Sequence, residues 1–489
     1  MAVFSEADLI TLMRVQNPWW QTGKTDKRKD LPYHRDEYYL CGQVFWHMIR
    51  RFPVLSGPRR VGKSTIIHQM IGDLLVSGVN PFQILYLSLD TSAMEEAGIL
   101  KLLMIYRSQI SQAEEFYLFV DEVQKDEDWT SAMKFIYDSF PAVRAMATGS
   151  ASYKIEGKYR ETGEGRLRLI RIPTLSFYEY CQMRGIEVQG IEVIDLFKLH
   201  SASLADQSSI MMKLSNVEPE LNRYLRLGGF PEYITVSHMD EPYALSLIEE
   251  NVINKVIFND LTTTERVNPT QLKRVFSYLC NTTSGIVNVE EICREMQGIS
   301  NTTVTKYIDI LESAGLIYCA DQVNTSGKKI LKTRQKIHIA DSGIRGAVMS
   351  DLRSPDDPVQ KGYLMESAAY KHVIDYCRCA DPDLRVGYML QAGRYKEIDI
   401  VICDRTGIRQ LIESKVRNQS MIREHDLIIT AALDHQPGYV ITKNISDYGL
   451  SSREKAEIYR IPSTAFLYLL GQMKYQHNRN TFSGIPTGA

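Results

Sequence analysis

The chain has 489 residues, 44% hydrophobic and 24% charged, with a net charge of −2. That length suits about three domains at ~150 residues each, and the near-neutral balance excludes a polybasic binder, leaving any nucleic-acid contact to local patches. No apolar run approaches the ~18 residues of a membrane span, the acidic start MAVFSEADLI lacks signal-peptide regions, and eight scattered cysteines form no CxxC pair, so a reduced cytoplasmic setting is expected.

Residues 1–32 read as an arm. Leu9, Leu12 and Met13 suggest a short helix, Trp19-Trp20 an anchor, and the basic run Lys24–Lys29 a solvated loop or a nucleic-acid contact. Residues 33–175 alternate between helix and strand, with strands expected at 52–56, 83–89, 116–120, 143–148 and 167–172. Such alternation implies an α/β domain with a parallel, doubly wound sheet, and ligands at the carboxyl ends of its strands.

The first strand runs into Gly57-Pro58-Arg59-Arg60-Val61-Gly62-Lys63-Ser64-Thr65 and then into a helix-like segment. This is GxxxxGK[ST] in its required context, and it predicts an ATP site. The glycines let successive N–H groups converge on phosphate oxygens, and the helix start adds its dipole. Lys63 is expected on the β/γ-phosphates and Ser64 on Mg²⁺. The third strand, Phe116–Val120, delivers Asp121 to the metal and Glu122 to the attacking water as a general base. Ser150, in Ala147-Thr148-Gly149-Ser150, is placed to sense the γ-phosphate, and Arg160 or Arg166 to serve as an arginine finger in cis or from a neighbouring subunit.

GPRRVGKST, LFVDE, ATGSAS and GR…LSFYEY, followed by Leu227-Gly-Gly-Phe-Pro-Glu232, resemble the prokaryotic AAA+ ATPases of archaeal type. The resemblance implies strand order 5-1-4-3-2, a helical lid, and the roles given to Asp121, Glu122 and Ser150. Thr174 stands where that group tends to have a second proline-like turn element. A lid is expected over 176–265, helical but interrupted by a serine-rich loop around His200–Ser215, with Gly228-Gly229 and Pro231 forming a tight turn.

Residues 266–345 read as a winged helix. Helices are expected at 271–280 and 289–296, a third is capped by Ser300, and a hairpin runs from Leu316 through Asn324–Gly327 to Ile330-Leu331. Lys328, Lys329, Lys332, Arg334 and Lys336 would meet DNA phosphates, or the module contacts protein instead.

Over 355–489, Glu366 lies on a helix, Asp399 on a strand, and Glu413 and Lys415 on one face of the returning strand. This set resembles the PD-(D/E)xK nucleases, a restriction-endonuclease-like α/β fold. The resemblance implies Mg²⁺ or Mn²⁺ on Glu366, Asp399 and Glu413, with Lys415 assisting the attacking water. The expected protein is an ATPase coupled to DNA binding, with metal-dependent cleavage as an added activity. The alternative is an ATP-driven switch whose nuclease-like fold only binds. A finger acting in trans requires a homo-oligomer, a ring or a dimer.

Overall fold

A computed structural model describes residues 4–29, 31–150, 155, 159, 165–234, 240–261, 267–331, 333–391, 396–416, 426–432, 436–452, 456–482 and 484. The chain divides into two compact units, Met1–Pro173 with Asn478–Ala489, and Thr174–His477.

The first unit is built on β1 (Phe52–Ser56), β2 (Ile84–Ser88), β3 (Tyr117–Asp121), β4 (Arg144–Gly149) and β5 (Leu167–Arg171). They pair in the order β2-β3-β4-β1-β5, all parallel, which is the expected order read from the other edge. β1 to β4 are nearly continuous apolar runs because a parallel sheet is covered on both faces. The ladder sets Ser88 against Asp121 and Ser56 against Gly149, so the carboxyl ends of four strands form one rim.

β2 is an edge strand, and the N-terminal arm covers it. The helix Glu6–Gln16 buries Leu9 and Met13. Asn17 then pairs its side-chain amide with Tyr86, donating to the carbonyl at 2.8 Å and accepting from the N–H at 2.7 Å, while both indole N–H groups of Trp19 and Trp20 donate to the Ile84 carbonyl. The expected anchor is therefore an edge cap, satisfying backbone groups that would otherwise invite pairing with another chain.

His68, on the helix Lys63–Val76, packs against the Tyr86 ring with centroids 5.0 Å apart. Burial, helped by Lys29, pushes its imidazole down to about 4. The folded value lies below the unfolded ~6.5, so this contribution is complete above that pH and is lost as pH falls toward 4. We expect a loss of about 2 kcal/mol between pH 7.5 and 5 that is absent in His68→Phe. Denaturant titrations at the two pH values check this; parallel losses in both proteins would refute it.

The second unit carries a nine-stranded sheet. Its strands are β6 (Gly285–Ile286), β7 (Ile317–Gln322), β8 (Lys336–Ile339), β9 (Arg385–Gln391), β10 (Lys396–Cys403), β11 (Ile408–Lys415), β12 (Gly438–Thr442), β13 (Gly449–Ser452) and β14 (Ile458–Pro462). They run in the order β13-β14-β12-β11-β10-β9-β7-β8-β6. Asp321↔Gly387 and Gln322↔Tyr388 join β7 to β9 in parallel, carrying the 266–345 stretch into the same sheet as the C-terminal strands. The helix Pro358–Ala380 precedes β9, and Leu427–Ala432 precedes β12.

Two local expectations are corrected. The serine-rich stretch is not a loop throughout. Ser203 and Asp206 form a capping box that starts the helix Leu204–Leu214, and Gln207, Ile210 and Leu214 bury one face of it. The hairpin returns only briefly beside its turn: Val323 bridges Lys329 antiparallel and Ile330 N donates to the Gln322 carbonyl at 2.9 Å. Leu331 is 77% exposed, and the return strand is β8, whose four residues are all buried between β6 and β7. The turn expected at Gly228-Gly229 is present and tightly constrained. Gly228 has φ +74°, a Cβ there would lie 1.7 Å from Asp341 Oδ1, and Gly229 N donates to Asp341 Oδ2 at 2.9 Å.

Candidate active site

The rim of the five-stranded sheet gathers the residues expected to handle phosphate. The loop between β1 and the helix Lys63–Val76 reaches Gly62 at φ +95° and passes Arg60 at φ +66°. A Cβ on Gly57 would lie 2.2 Å from the Ile172 carbonyl oxygen, so only glycine lets the loop leave β1 beside the end of β5. Lys63 is buried, and its Nζ donates to the carbonyls of Gly57 (2.8 Å) and Pro58 (2.7 Å), folding the lysine over its own loop. Val61 is buried, Pro58 is buried, Arg59 and Thr65 are half-buried, and Arg60 is exposed.

Ser64 Oγ donates to Asp121 Oδ2 at 2.7 Å. Tyr86 donates to the same oxygen at 3.0 Å, and Thr148 donates to Oδ1. Burial, then the neighbouring Glu122, holds the Asp121 carboxyl above its usual range despite these hydrogen bonds. An alcohol and a buried carboxylate in contact at a helix N-terminus suit Mg²⁺, whose charge would relieve that destabilisation. Glu122 sits in the left-handed region (φ 58°, ψ 43°), and its Oε2 accepts from Ser150 Oγ at 2.8 Å and from Gln124 Nε2. Lys63, Ser64, Asp121, Glu122 and Ser150 are thus linked at one rim.

Arg166 is not brought there. It immediately precedes β5, whose Leu167 pairs with Phe52 at the start of β1, so it lies at the far end of a strand about 16 Å long. Its guanidinium is ion-paired with Asp138 at 2.9 Å on the surface. That excludes a finger in cis from Arg166. Arg160 lies outside the described residues.

Two members of the C-terminal set, Glu366 and Asp399, are drawn together inside the second unit, around a residue not expected there. Lys336 Nζ, from β8, lies 2.6 Å from Glu366 Oε1, 3.0 Å from Glu397 Oε1 and 3.1 Å from Asp399 Oδ1. Asp399 Oδ2 accepts from Ser414 N at 2.8 Å, while Lys415 pairs with Glu413 at 3.2 Å and with Asp426. Burial first, then Asp399, pushes Glu366 up to about 8; burial pushes Glu413 up to about 7 against the opposing pull of Lys415. Burial alone would depress Lys336, but Asp399, Glu366 and Glu397 outweigh it and hold the ammonium well above its usual value.

The basic hairpin also reads differently. Lys336 is wholly buried, Lys329 pairs with Asp321 at 2.6 Å, and Lys332 lies outside the described residues. A Cβ on Gly327 would lie 3.0 Å from the carbonyl carbon of Gly407, so the turn tip packs on the β10–β11 turn. Five cations do not project together toward a phosphate backbone.

Against known proteins, residues 50–181 match the family described as "AAA domain". Residues 50–181 form an AAA domain. Residues 218–356 match a family described as "Domain of unknown function (DUF8612)". A protein of Haemophilus influenzae, described as uncharacterized, is 29% identical over 300 residues, which cover 60% of this chain and 68% of that protein. The chain is similar to the Walker-type ATPase of Pyrococcus abyssi, at 13% identity and TM-score 0.40, covering 67% of this chain and 98% of that one. It is also similar to the ADP form of the ORC2 protein of Aeropyrum pernix, at 10% identity and TM-score 0.31 (67% and 97% covered). A further likeness is to the RuvB Holliday junction branch migration motor of Thermotoga maritima, at 16% identity and TM-score 0.23 (58% and 87% covered).

Four residues of the AAA domain or its flank contribute without having stood out in the sequence. Tyr86 looks like one more apolar strand residue, yet it lies two residues before Ser88, which pairs with Asp121. Thr148 was visible in ATGS, but its partner was not. Gln124, two residues past Glu122, had the plainest signal, a side-chain amide beside an acidic pair. Arg35 gave none: it donates to the Val61 carbonyl at 2.7 Å and pairs with Glu37 at 3.0 Å from a stretch without a motif.

Proposed function

We propose that the AAA domain binds ATP with Mg²⁺ and hydrolyses it, and that the 174–477 unit converts this cycle into a changed hold on DNA. The observation that carries the first part is the joined pair of contacts at the sheet rim, Ser64 to Asp121 and Ser150 to Glu122. Lys63 would leave the loop carbonyls for the β/γ-phosphates, Ser64 and Asp121 would hold the metal, and Glu122 would take the proton of the attacking water, oriented by Ser150. When bound there, Mg²⁺ would supply positive charge against the phosphoryl oxygens.

The second part is supported by the order of elements between 269 and 339. Helix Pro269–Asn281, β6, helix Val289–Met296, helix Asn301–Ser313, β7 and β8 follow one another, with β8 between β6 and β7. This is the sequence of elements in a winged helix. Ser300 caps the third helix through Thr303 N, as expected, leaving Asn301, Thr302, Thr305, Lys306, Asp309 and Glu312 exposed. That face exposes Lys306 beside Asp309 and Glu312, so a duplex held there would draw little on phosphate neutralisation, and a protein partner is the other occupant it suits.

A second reading keeps the ATPase and makes the nuclease-like fold a binding element only; Lys336, seated among its carboxylates, favours it. Phosphate release measured with and without duplex DNA decides between outputs. We expect DNA to raise the rate and Lys63→Ala to abolish it. A rate that survives Lys63→Ala refutes the ATP site, and a rate indifferent to DNA refutes the coupling. Arg166 is available as a finger only to a neighbouring subunit, so particle size should grow when a non-hydrolysable ATP analogue is added.

A further inference from the structure

The resemblance to PD-(D/E)xK nucleases implies a divalent metal among Glu366, Asp399 and Glu413, and the residues present do not fit one. An ammonium already holds two of the three, Glu366 and Asp399, while Glu413 pairs with Lys415. Lys336 Nζ is within 3.1 Å of three carboxylates, and its side chain is 1% exposed. Mg²⁺ requires oxygens at about 2.0–2.1 Å in near-octahedral array, mostly with retained waters. A second cation entering between the same oxygens would meet the ammonium directly.

Lys336 is not a surface side chain that has fallen inward. Its backbone sits in β8, paired with Ile286 on one side and Ala320 on the other. His338, two residues on and on the same face of the strand, stacks on Tyr370 with centroids 4.3 Å apart and planes at 12°. Tyr370 lies four residues after Glu366 on the helix Pro358–Ala380, so two residues of β8 meet two residues of that helix in matching register. Ser284 reinforces the junction, its Oγ 3.0 Å from Ser367 Oγ and donating to the Tyr363 carbonyl at 3.0 Å. The lysine of the ExK motif is tied to Glu413 of that set and to Asp426.

We infer that Lys336 is a built-in counter-ion that stands where the nuclease-like fold would carry its metal, locking β8 to the C-terminal sheet and leaving the cluster free of divalent ions. The inference depends on the nuclease-like reading only for which ion is implied. It does not depend on ATP hydrolysis. Buried carboxylates repel one another unless a cation lies between them. In this chain a covalently attached cation fills that role at every step, so the cluster fastens two elements rather than cutting a phosphodiester.

The test is Mn²⁺ binding by the full-length protein without nucleotide, followed by electron paramagnetic resonance of free Mn²⁺, beside a plasmid-cleavage assay with Mn²⁺. Wild type and Asp399→Asn should bind Mn²⁺ identically, and neither should cut DNA. Lys336→Met should gain a site at least tenfold tighter than any in wild type, and Lys336→Met/Asp399→Asn should lose it. The inference is overturned if Asp399→Asn weakens Mn²⁺ binding of the wild type tenfold, if wild type cuts DNA and Asp399→Asn does not, or if folded Lys336→Met gains no site. Should Lys336→Met fail to fold, the comparison of wild type with Asp399→Asn decides alone. Loss of phosphate release in Lys63→Ala, or its persistence, bears only on the ATP site.

Discussion

Glu122→Gln is expected to lower ATP turnover by about 100-fold or more while leaving nucleotide affinity near that of the wild type. Positioned general bases contribute roughly 10²–10⁴-fold, and glutamine cannot accept the proton. The geometry makes the substitution selective. Glu122 holds a left-handed backbone conformation that costs a non-glycine residue about 1–2 kcal/mol, a strain expected where function requires it. Its Oε2 is positioned by Ser150 and Gln124, and a glutamine oxygen can accept the same two hydrogen bonds. The neighbouring pair proposed to hold the metal, Ser64 and Asp121, is left intact. Lys63→Ala should instead weaken binding itself. Fluorescent-nucleotide titration together with single-turnover phosphate release separates the two. If Glu122→Gln keeps more than a tenth of wild-type turnover with binding intact, Glu122 is not the base.

The parts of this site that could be read from sequence are those that local chain geometry dictates. β1 spans 52–56 as expected, and β2 to β5 depart from expectation by no more than one residue at either end; for β1 to β4 the reason is that a strand buried on both faces must be apolar along its length. The loop from Gly57 to Ser64 is legible because its chemistry needs contiguous residues. Lys336 was legible as a cation and misread as a surface one. It sits in a run of lysines, and the carboxylates around it include Glu397 and Asp399, 61 and 63 residues away. No periodicity reports a contact of that separation. The serine-rich segment misled for a related reason. Serine is ambiguous between loop and cap, and the cap formed by Ser203 with Asp206 pays off only when Ile210 and Leu214 find a surface to cover.

Arg35 is the clearest case of a residue invisible in sequence whose removal should be severe. Its Nη1 donates to the carbonyls of Val61 (2.7 Å) and Pro173 (2.9 Å), and its Nη2 pairs with Glu37 Oε2 at 3.0 Å. The two side chains are 6% and 1% exposed, so solvent does little to screen the pair. Arg35→Ala leaves the Glu37 carboxylate buried without that guanidinium and two carbonyls without a donor, which predicts a loss of about 3–5 kcal/mol in unfolding free energy. Because Val61 belongs to the phosphate loop, nucleotide affinity should fall as well. Arg35→Lys should recover only part of either quantity, since one ammonium cannot reproduce the fork that spans Val61, Pro173 and Glu37. Arg35→Met combined with Glu37→Leu should regain most of the stability, because it removes both buried charges, but not the affinity, because the hold on Val61 is still missing. Denaturant unfolding and nucleotide titration of these variants therefore separate the charge from the tether. A loss below about 1 kcal/mol in Arg35→Ala would mean that the buried pair is not what holds the loop in place.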